Sequence, residues 1–255
     1  MSLAGRTALI TGGGHGLGAA IARSLHEAGA AVVLVGRRAE LLERVCSDLG
    51  SRARWAVCDV ADPASVSALA EELVGGPAAA EISILINNAG VAGPVAPLTE
   101  IEVDDWDEVF DINVRGVFLM CKAFLPPMVQ RGRGDVINIA SVSGKRPLVR
   151  RTPYCASKMA VIGLTSTLAF EVGPAGVNVN TLSPGPVDGP RMDRNFRLEA
   201  ERTGTSYDAA MQTFVSRAAL GRMVTEEEVG AAAVAMLGMP GLCGADIDLS
   251  AGMVA

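Results

Sequence analysis

The sequence predicts an α/β fold: a doubly wound, seven-stranded parallel sheet with helices on both faces. Three observations carry that reading. Short β-branched or aliphatic runs alternate with longer helical patterns, which implies right-handed crossovers between parallel strands. The runs are apolar almost throughout, without in/out alternation, as strands buried on both faces are. A glycine-rich turn, TGGGHGLG at 11–18, joins the first run to the first helix.

The elements follow in order. Residues 8–11 (ALIT) form the first strand and 17–28 the first helix, with Gly29 placed for a left-handed C-cap. Residues 31–35 (AVVLV) are the second strand, 39–49 a helix, and 54–60 (RWAVCDV) the third strand. Asp62 and Pro63 read as an N-cap and a first-turn proline, opening a helix to about residue 74. Residues 82–87 (ISILIN) are the fourth strand, and 105–125 a helix that Pro126-Pro127 stops. The fifth strand is 136–140 (VINIA), followed by a long helix over 152–172 and a sixth strand over 177–182 (VNVNTL). Thr225 and Glu228 form a capping box for a helix to residue 237, and 245–249 (ADIDL) closes the sheet. With no linker or repeat, residues 1–255 read as one domain. One span, 185–223, is irregular and too long for a plain loop, so residues 189–220 are expected to cover a substrate.

Composition bounds the function. Hydrophobic residues make up 49% and charged residues 20%, an ordinary globular mixture. A formal net charge of −6 argues against nucleic-acid or anionic-membrane partners. No apolar run reaches the ~20 residues of a membrane span. The N-terminal MSLAGRTALIT lacks a signal-peptide pattern. Cys46, Cys58, Cys121, Cys155 and Cys243 are odd in number and lack CxxC spacing; free thiols in a reducing cytoplasm are expected, not disulfides or zinc. His15 and His26, the only histidines, suggest no metal site.

The glycines need a reason. Amides at a helix N-terminus point into such a turn and carry about half a positive charge, so a pyrophosphate can sit there if no Cβ intervenes. The spacing G-x-x-x-G-x-G departs from the plain dinucleotide fingerprint, and a tight turn without ligand would use the same residues. Downstream lie Asp59, NNAG at 87–90, Ser141, Tyr154 with Lys158, and SPGPV at 183–187. All fall at strand C-terminal ends or just beyond, the edge where open α/β sheets bind ligands.

This ordered set closely resembles the short-chain dehydrogenase/reductase family, from residue 5 to about residue 249. The resemblance implies a Rossmann-type sheet and an NAD(P)-dependent oxidoreductase interconverting a ketone, or a 3-oxoacyl group, and a secondary alcohol. It assigns Gly12, Gly14, His15, Gly16, Leu17 and Gly18 to the pyrophosphate loop, and Asp59 and Val60 to the adenine. Asn88, Ala89 and Gly90 would support the middle of the cofactor; Pro184, Gly185 and Val187 would lie along the nicotinamide. Asn113, Ser141, Tyr154 and Lys158 match the catalytic four, Tyr154 and Lys158 also contacting cofactor.

Tyr154 and Lys158 are one helical turn apart and share a face. A free tyrosine has a pKa near ~10, and a neighbouring ammonium favours its phenolate, which suits acid–base use. Ser141 would hold the substrate oxygen, and Asn113 would anchor a water relaying protons from Lys158. After the second strand stand Arg37 and Arg38, with no acid until Glu40. Two cations at a helix start oppose its dipole, a cost that a bound 2′-phosphate offsets. NADP(H) is therefore expected over NAD(H), with NAD(H) the alternative and His15 a weaker cation for the phosphate.

Two departures from the family stand out: Gly189 replaces a frequent threonine, and DIDLSAG replaces a V-D-G-G ending. A catalytically silent nucleotide-binding sensor or interaction protein would lack one of the four catalytic positions, and none is lacking. A methyltransferase would carry an acid after the second strand. Between Ser141 and Tyr154 lie Lys145, Arg146, Arg150 and Arg151 without an acid. They predict an anionic or acyl-carrier-linked substrate, or a solvated loop, or arginines that pair with acids of a neighbouring subunit. Residues 117–120 (VFLM) and 159–164 (MAVIGL) are apolar around more than one stripe, and the resemblance implies a homotetramer through those helices. The expected partner is a small-molecule carbonyl or alcohol, not nucleic acid or membrane.

Overall fold

Strands and helices alternate through β1 (Thr7–Thr11), α1 (Gly16–Glu27), β2 (Ala31–Gly36), α2 (Ala39–Leu49), β3 (Ala53–Val57) and α3 (Pro63–Ala70). They continue through β4 (Ile82–Asn87), α4 (Val103–Phe110), α5 (Gly116–Arg131), β5 (Gly134–Ile139) and α6 (Thr152–Val172). The chain ends with β6 (Val177–Pro184), α7 (Pro190–Thr203), α8 (Tyr207–Val215), α9 (Glu226–Leu237) and β7 (Asp246–Leu249). The computed structural model describes residues 2–75 and 80–253. All strand pairs are parallel, in the order β3-β2-β1-β4-β5-β6-β7.

The period of two sorts side chains to opposite faces. On β1, Ala8 and Ile10 join Ile21 and Leu25 of α1 and Val229 of α9 in one core. Leu9 points the other way, with Val33, Val35, Met120 and Phe124. The expectation of strands buried on both faces holds for β1, β2, β4 and β6. It fails for β3, an edge strand, where Trp55 and Val57 are exposed. The strand predicted over 54–60 also stops at Val57, because Asp59 turns the chain: its Oδ1 accepts from Ala61 N at 3.0 Å.

Local signals behave as the sequence implies at several ends. Asp62 caps α3 by accepting from the amides of Ala64 and Ser65. Thr225 and Glu228 make the capping box of α9. Gly29 takes a φ of +105° past α1. Pro126 and Pro127 do not stop α5, which runs to Arg131. An internal proline costs ~3 kcal/mol, but stopping there would expose Met128, which is fully buried. Between α4 and α5 a π turn, Asp111–Arg115, buries Ile112 and Asn113. The irregular span is also corrected, since most of it is α7 and α8.

The segments Val103–Arg131 and Thr152–Ala175 are long and apolar enough, by length and composition alone, to cross a membrane. That departs from the reading that no span is membrane-length. Both pack on the sheet: α5 against β4 and β5, and α6 against β6. The five cysteines are free.

Candidate active site

Strand order reverses between β1 and β4, so the loops leaving their C-terminal ends diverge and open a cleft. The cleft encloses about 770 Å³. Every residue assigned above to the cofactor lines it, from Gly12 to Val187, together with Ser141, Tyr154 and Lys158. Asn113 does not line it.

The glycine turn forms one wall. Gly12 and Gly16 have φ of +67° and +55°, which only glycine adopts readily. A Cβ on Gly18 would stand 2.2 Å from the Gly12 carbonyl oxygen, so α1 can approach the turn only without a side chain. His15 is the N-cap of α1 and makes no side-chain cap bond, and among the described residues no side chain caps the first amides of α1. Thr11 stitches β1 to β4: its Oγ1 accepts from the amides of Asn88 and Ala89, both at 3.0 Å. Asn88 Nδ2 donates back to the Thr11 carbonyl at 2.9 Å. Thr11 escapes the sequence reading because a strand-end threonine has an ordinary structural explanation.

The opposite wall holds Ser141, Tyr154 and Lys158. Lys158 is buried, and its Nζ donates to the Ile139 carbonyl at 2.8 Å while lying 5.8 Å from the Tyr154 ring centroid. Ser141 Oγ accepts from Ser143 N at 3.1 Å and lies 3.5 Å from the Pro184 carbonyl oxygen. Asn113 sits behind this wall: its Oδ1 accepts from Val91 N at 2.8 Å, and its Nδ2 donates to Val91 O and Ser157 Oγ, both at 3.0 Å. A Cβ on Gly90 would come within 3.0 Å of Asn113 Oδ1 and 3.5 Å of Lys158 Nζ. Bare backbone at Gly90 lets Asn113 and Lys158 both approach it.

Just beyond β2, Arg37 and Arg38 are exposed, and Arg37 lies 3.8 Å from Asp59. Burial and the charge of Arg38 push the His15 pKa below the usual histidine range. Both departures from the family acquire structural reasons. Gly189, at a φ of +150°, is the N-cap of α7, with Pro190 at its first turn. Asp246 and Asp248 in DIDLSAG both pair with Lys145, the Asp246 contact at 2.8 Å. Ser183 Oγ also donates to Asp246 at 2.6 Å. Lys145 is therefore neutralised within its own chain. Arg146 and Arg151 donate to the backbone of Met253, Ala92 and Gly93, and Arg151 also to Asn195 Oδ1 on α7. Of the expected basic cluster, Lys145 is compensated by acids, while these bonds of Arg146 and Arg151, and that of Arg150 to the Val95 carbonyl, go to neutral groups and leave the arginine charges in place.

The short chain dehydrogenase family model matches residues 6–201. The chain belongs to that family. It is 42% identical over 211 residues to D-threitol dehydrogenase of Mycolicibacterium smegmatis, covering 77% of this chain and 79% of that one. Among solved structures, NAD+-bound xylitol dehydrogenase superposes with a TM-score of 0.91 at 30% identity, covering 99% and 100% of the two chains. An actinorhodin polyketide ketoreductase with NADPH gives 0.90 at 31% identity, covering 97% of each. This short-chain dehydrogenase is thus an NAD(P)-dependent oxidoreductase acting on CH–OH and C=O groups. The cleft fits a dinucleotide, because its glycine wall is bare where a Cβ would strike backbone and the adjoining helix start has no side-chain cap.

Proposed function

We propose that Tyr154 is the proton donor and acceptor for the interconversion of a small ketone and its secondary alcohol. The convergence of Ser141, Tyr154 and Lys158 on one cleft with the glycine turn carries the reading. Ser141 holds the substrate oxygen against the Tyr154 hydroxyl. Lys158 stabilises the charge left on that oxygen when the proton departs, and it grips the nicotinamide ribose. When bound, the nicotinamide gives or takes the hydride. Asn113 holds Val91 and Ser157 and so fixes the proton-relay side of Lys158. The remaining assigned cofactor residues, all lining the cleft, would hold the dinucleotide as assigned.

NADP(H) is proposed over NAD(H), on the two exposed cations Arg37 and Arg38 and the absence of an acid before Glu40. The polyketide ketoreductase likeness favours an acyl-carrier-linked or anionic substrate, while the threitol dehydrogenase likeness favours a neutral polyol. The neutralised Lys145 supports the neutral class. Exposed Phe118, Met159 and Phe170 on α5 and α6 support a homotetramer, in the cytoplasm and without membrane or nucleic-acid partners.

The test is nicotinamide absorbance over a panel of alcohols and ketones with both cofactors. Turnover of at least one substrate is expected, and Tyr154→Phe should lower it by the ~10²–10⁴-fold typical of a positioned acid–base group. Near wild-type turnover in that variant would sink the assignment.

A further inference from the structure

Among the acids lining the cleft, Glu226 has a distinctive position. It opens α9, whose Thr225–Glu228 capping box fixes the first turn. Glu228 is committed elsewhere: its carboxylate takes both Arg222 guanidinium nitrogens at 2.8 and 2.6 Å and the Thr225 amide at 2.9 Å. Glu226 points instead into the cleft. Its Oε1 lies 3.5 Å from where a Cβ on Gly16 would stand and 3.7 Å from one on Gly189. The carboxylate is thus wedged between the glycine turn and the foot of α7. Among the described residues no donor is hydrogen-bonded to it. Burial, then the neighbouring charge of Glu227, holds its pKa above the ordinary carboxylate range, with Arg23 pulling the other way.

A carboxylate beside the uncapped start of α1 faces the edge where a diphosphate belongs. We propose that Glu226 sets cofactor affinity: held between Gly16 and Gly189, its charge repels the diphosphate of the bound dinucleotide and speeds its release. The proposal rests on the cleft being the dinucleotide site. It explains why a helix start with three consecutive acids, Glu226 to Glu228, directs one of them at an anion site. Lid opening or product release limits turnover in many enzymes, so weaker binding at this point serves catalysis.

The experiment measures binding, not turnover. NADPH and NADH are titrated by fluorescence into the wild-type protein and into Glu226→Gln and Glu226→Ala, with adenosine as a competitor lacking phosphate. Both variants should bind a dinucleotide about three- to ten-fold more tightly, the scale of one charge interaction across several ångströms of wet cleft. Adenosine affinity should be unchanged. The gain should shrink as salt rises, since screening weakens partly exposed charges. Equal or weaker dinucleotide binding in Glu226→Gln overturns the proposal, as does tightening in the Ala variant alone, which would mean crowding rather than charge. A folded wild-type protein that binds neither dinucleotide would instead overturn the site reading beneath it.

Discussion

At the Gly12–Gly18 turn a single added methyl group at Gly18 strikes a backbone oxygen at 2.2 Å. Across the cleft, α7 and α8 are held mainly by side chains. Phe196 meets Tyr207 and Phe214 edge-on at 5.9 and 5.4 Å, Tyr207 donates to Asp193 at 2.6 Å, and Arg151 reaches Asn195 at 3.0 Å. The cradle is specified by what cannot be there. The expected cover is specified by interchangeable packing, which tolerates change in shape. One fold can hold the same cofactor chemistry under many covers for this reason.

The largest expected effect probes that contrast with one methyl group in each region. Gly18→Ala should lose dinucleotide binding by at least about a hundredfold or fail to fold, because the clash is with backbone that cannot relax. Gly204→Ala, at the C-terminal end of α7, meets nothing within 4 Å but has a φ of +66°. It should cost about 1 kcal/mol of stability and leave cofactor Kd unchanged. Dinucleotide titration and Tm of both variants check this. Comparable losses in both variants would erase the distinction between the regions.

The same contrast decides what the sequence disclosed. The cradle was legible because the glycine turn is followed, at the ends of later strands, by Asp59, NNAG and SPGPV, and Tyr154 and Lys158 were legible because a helix repeats every turn. Asn113 was legible as a type but not as a place: it stands behind the wall, clamping Val91, a contact between residues distant in sequence. The cover was partly readable. Met192, Phe196 and Ala200 recur at helical spacing, and all are buried. Gly204 and the Ser206 cap mark the break between the helices. The charged residues between them masked that period. Met192 and Phe196 are buried, and Phe196 packs on Tyr207 and Phe214 within the same pair of helices. The prolines of α5 misled because a local rule was outweighed by burial of the residue after them. The role of DIDLSAG was not legible at all, since its partner Lys145 lies a hundred residues earlier.

A smaller effect sharpens the adenosine end of the cradle. If the exposed cations there bind a 2′-phosphate, Arg37→Ala with Arg38→Ala should lower kcat/KM for NADPH by about ten- to a hundredfold, the loss of one or two charge-assisted hydrogen bonds. NADH should be nearly unaffected. Losses of equal size with both cofactors would assign the arginines to the shape of the loop instead.

The smallest effect belongs to Lys145, which joins the loop carrying Ser141 to the last strand. Burial lowers its pKa, but the hydrogen bonds and charges of Asp246 and Asp248 outweigh that and raise it above the ordinary lysine value. Lys145→Ala leaves two acids facing each other without a cation, and should cost about 1–3 kcal/mol of stability. It should raise substrate KM several-fold while cofactor Kd holds, because the loop that moves is on the substrate side. The sign of the pH dependence follows from the raised value. The stabilisation is fully present below the unfolded-state pKa of about 10.4 and is lost as pH rises through the higher folded-state value. The gap in Tm between wild type and Lys145→Ala should therefore stay constant from pH 7 to 9 and narrow only in more alkaline buffer. A gap that closes already between pH 7 and 9 would show that Lys145 holds the loop by something other than its charge.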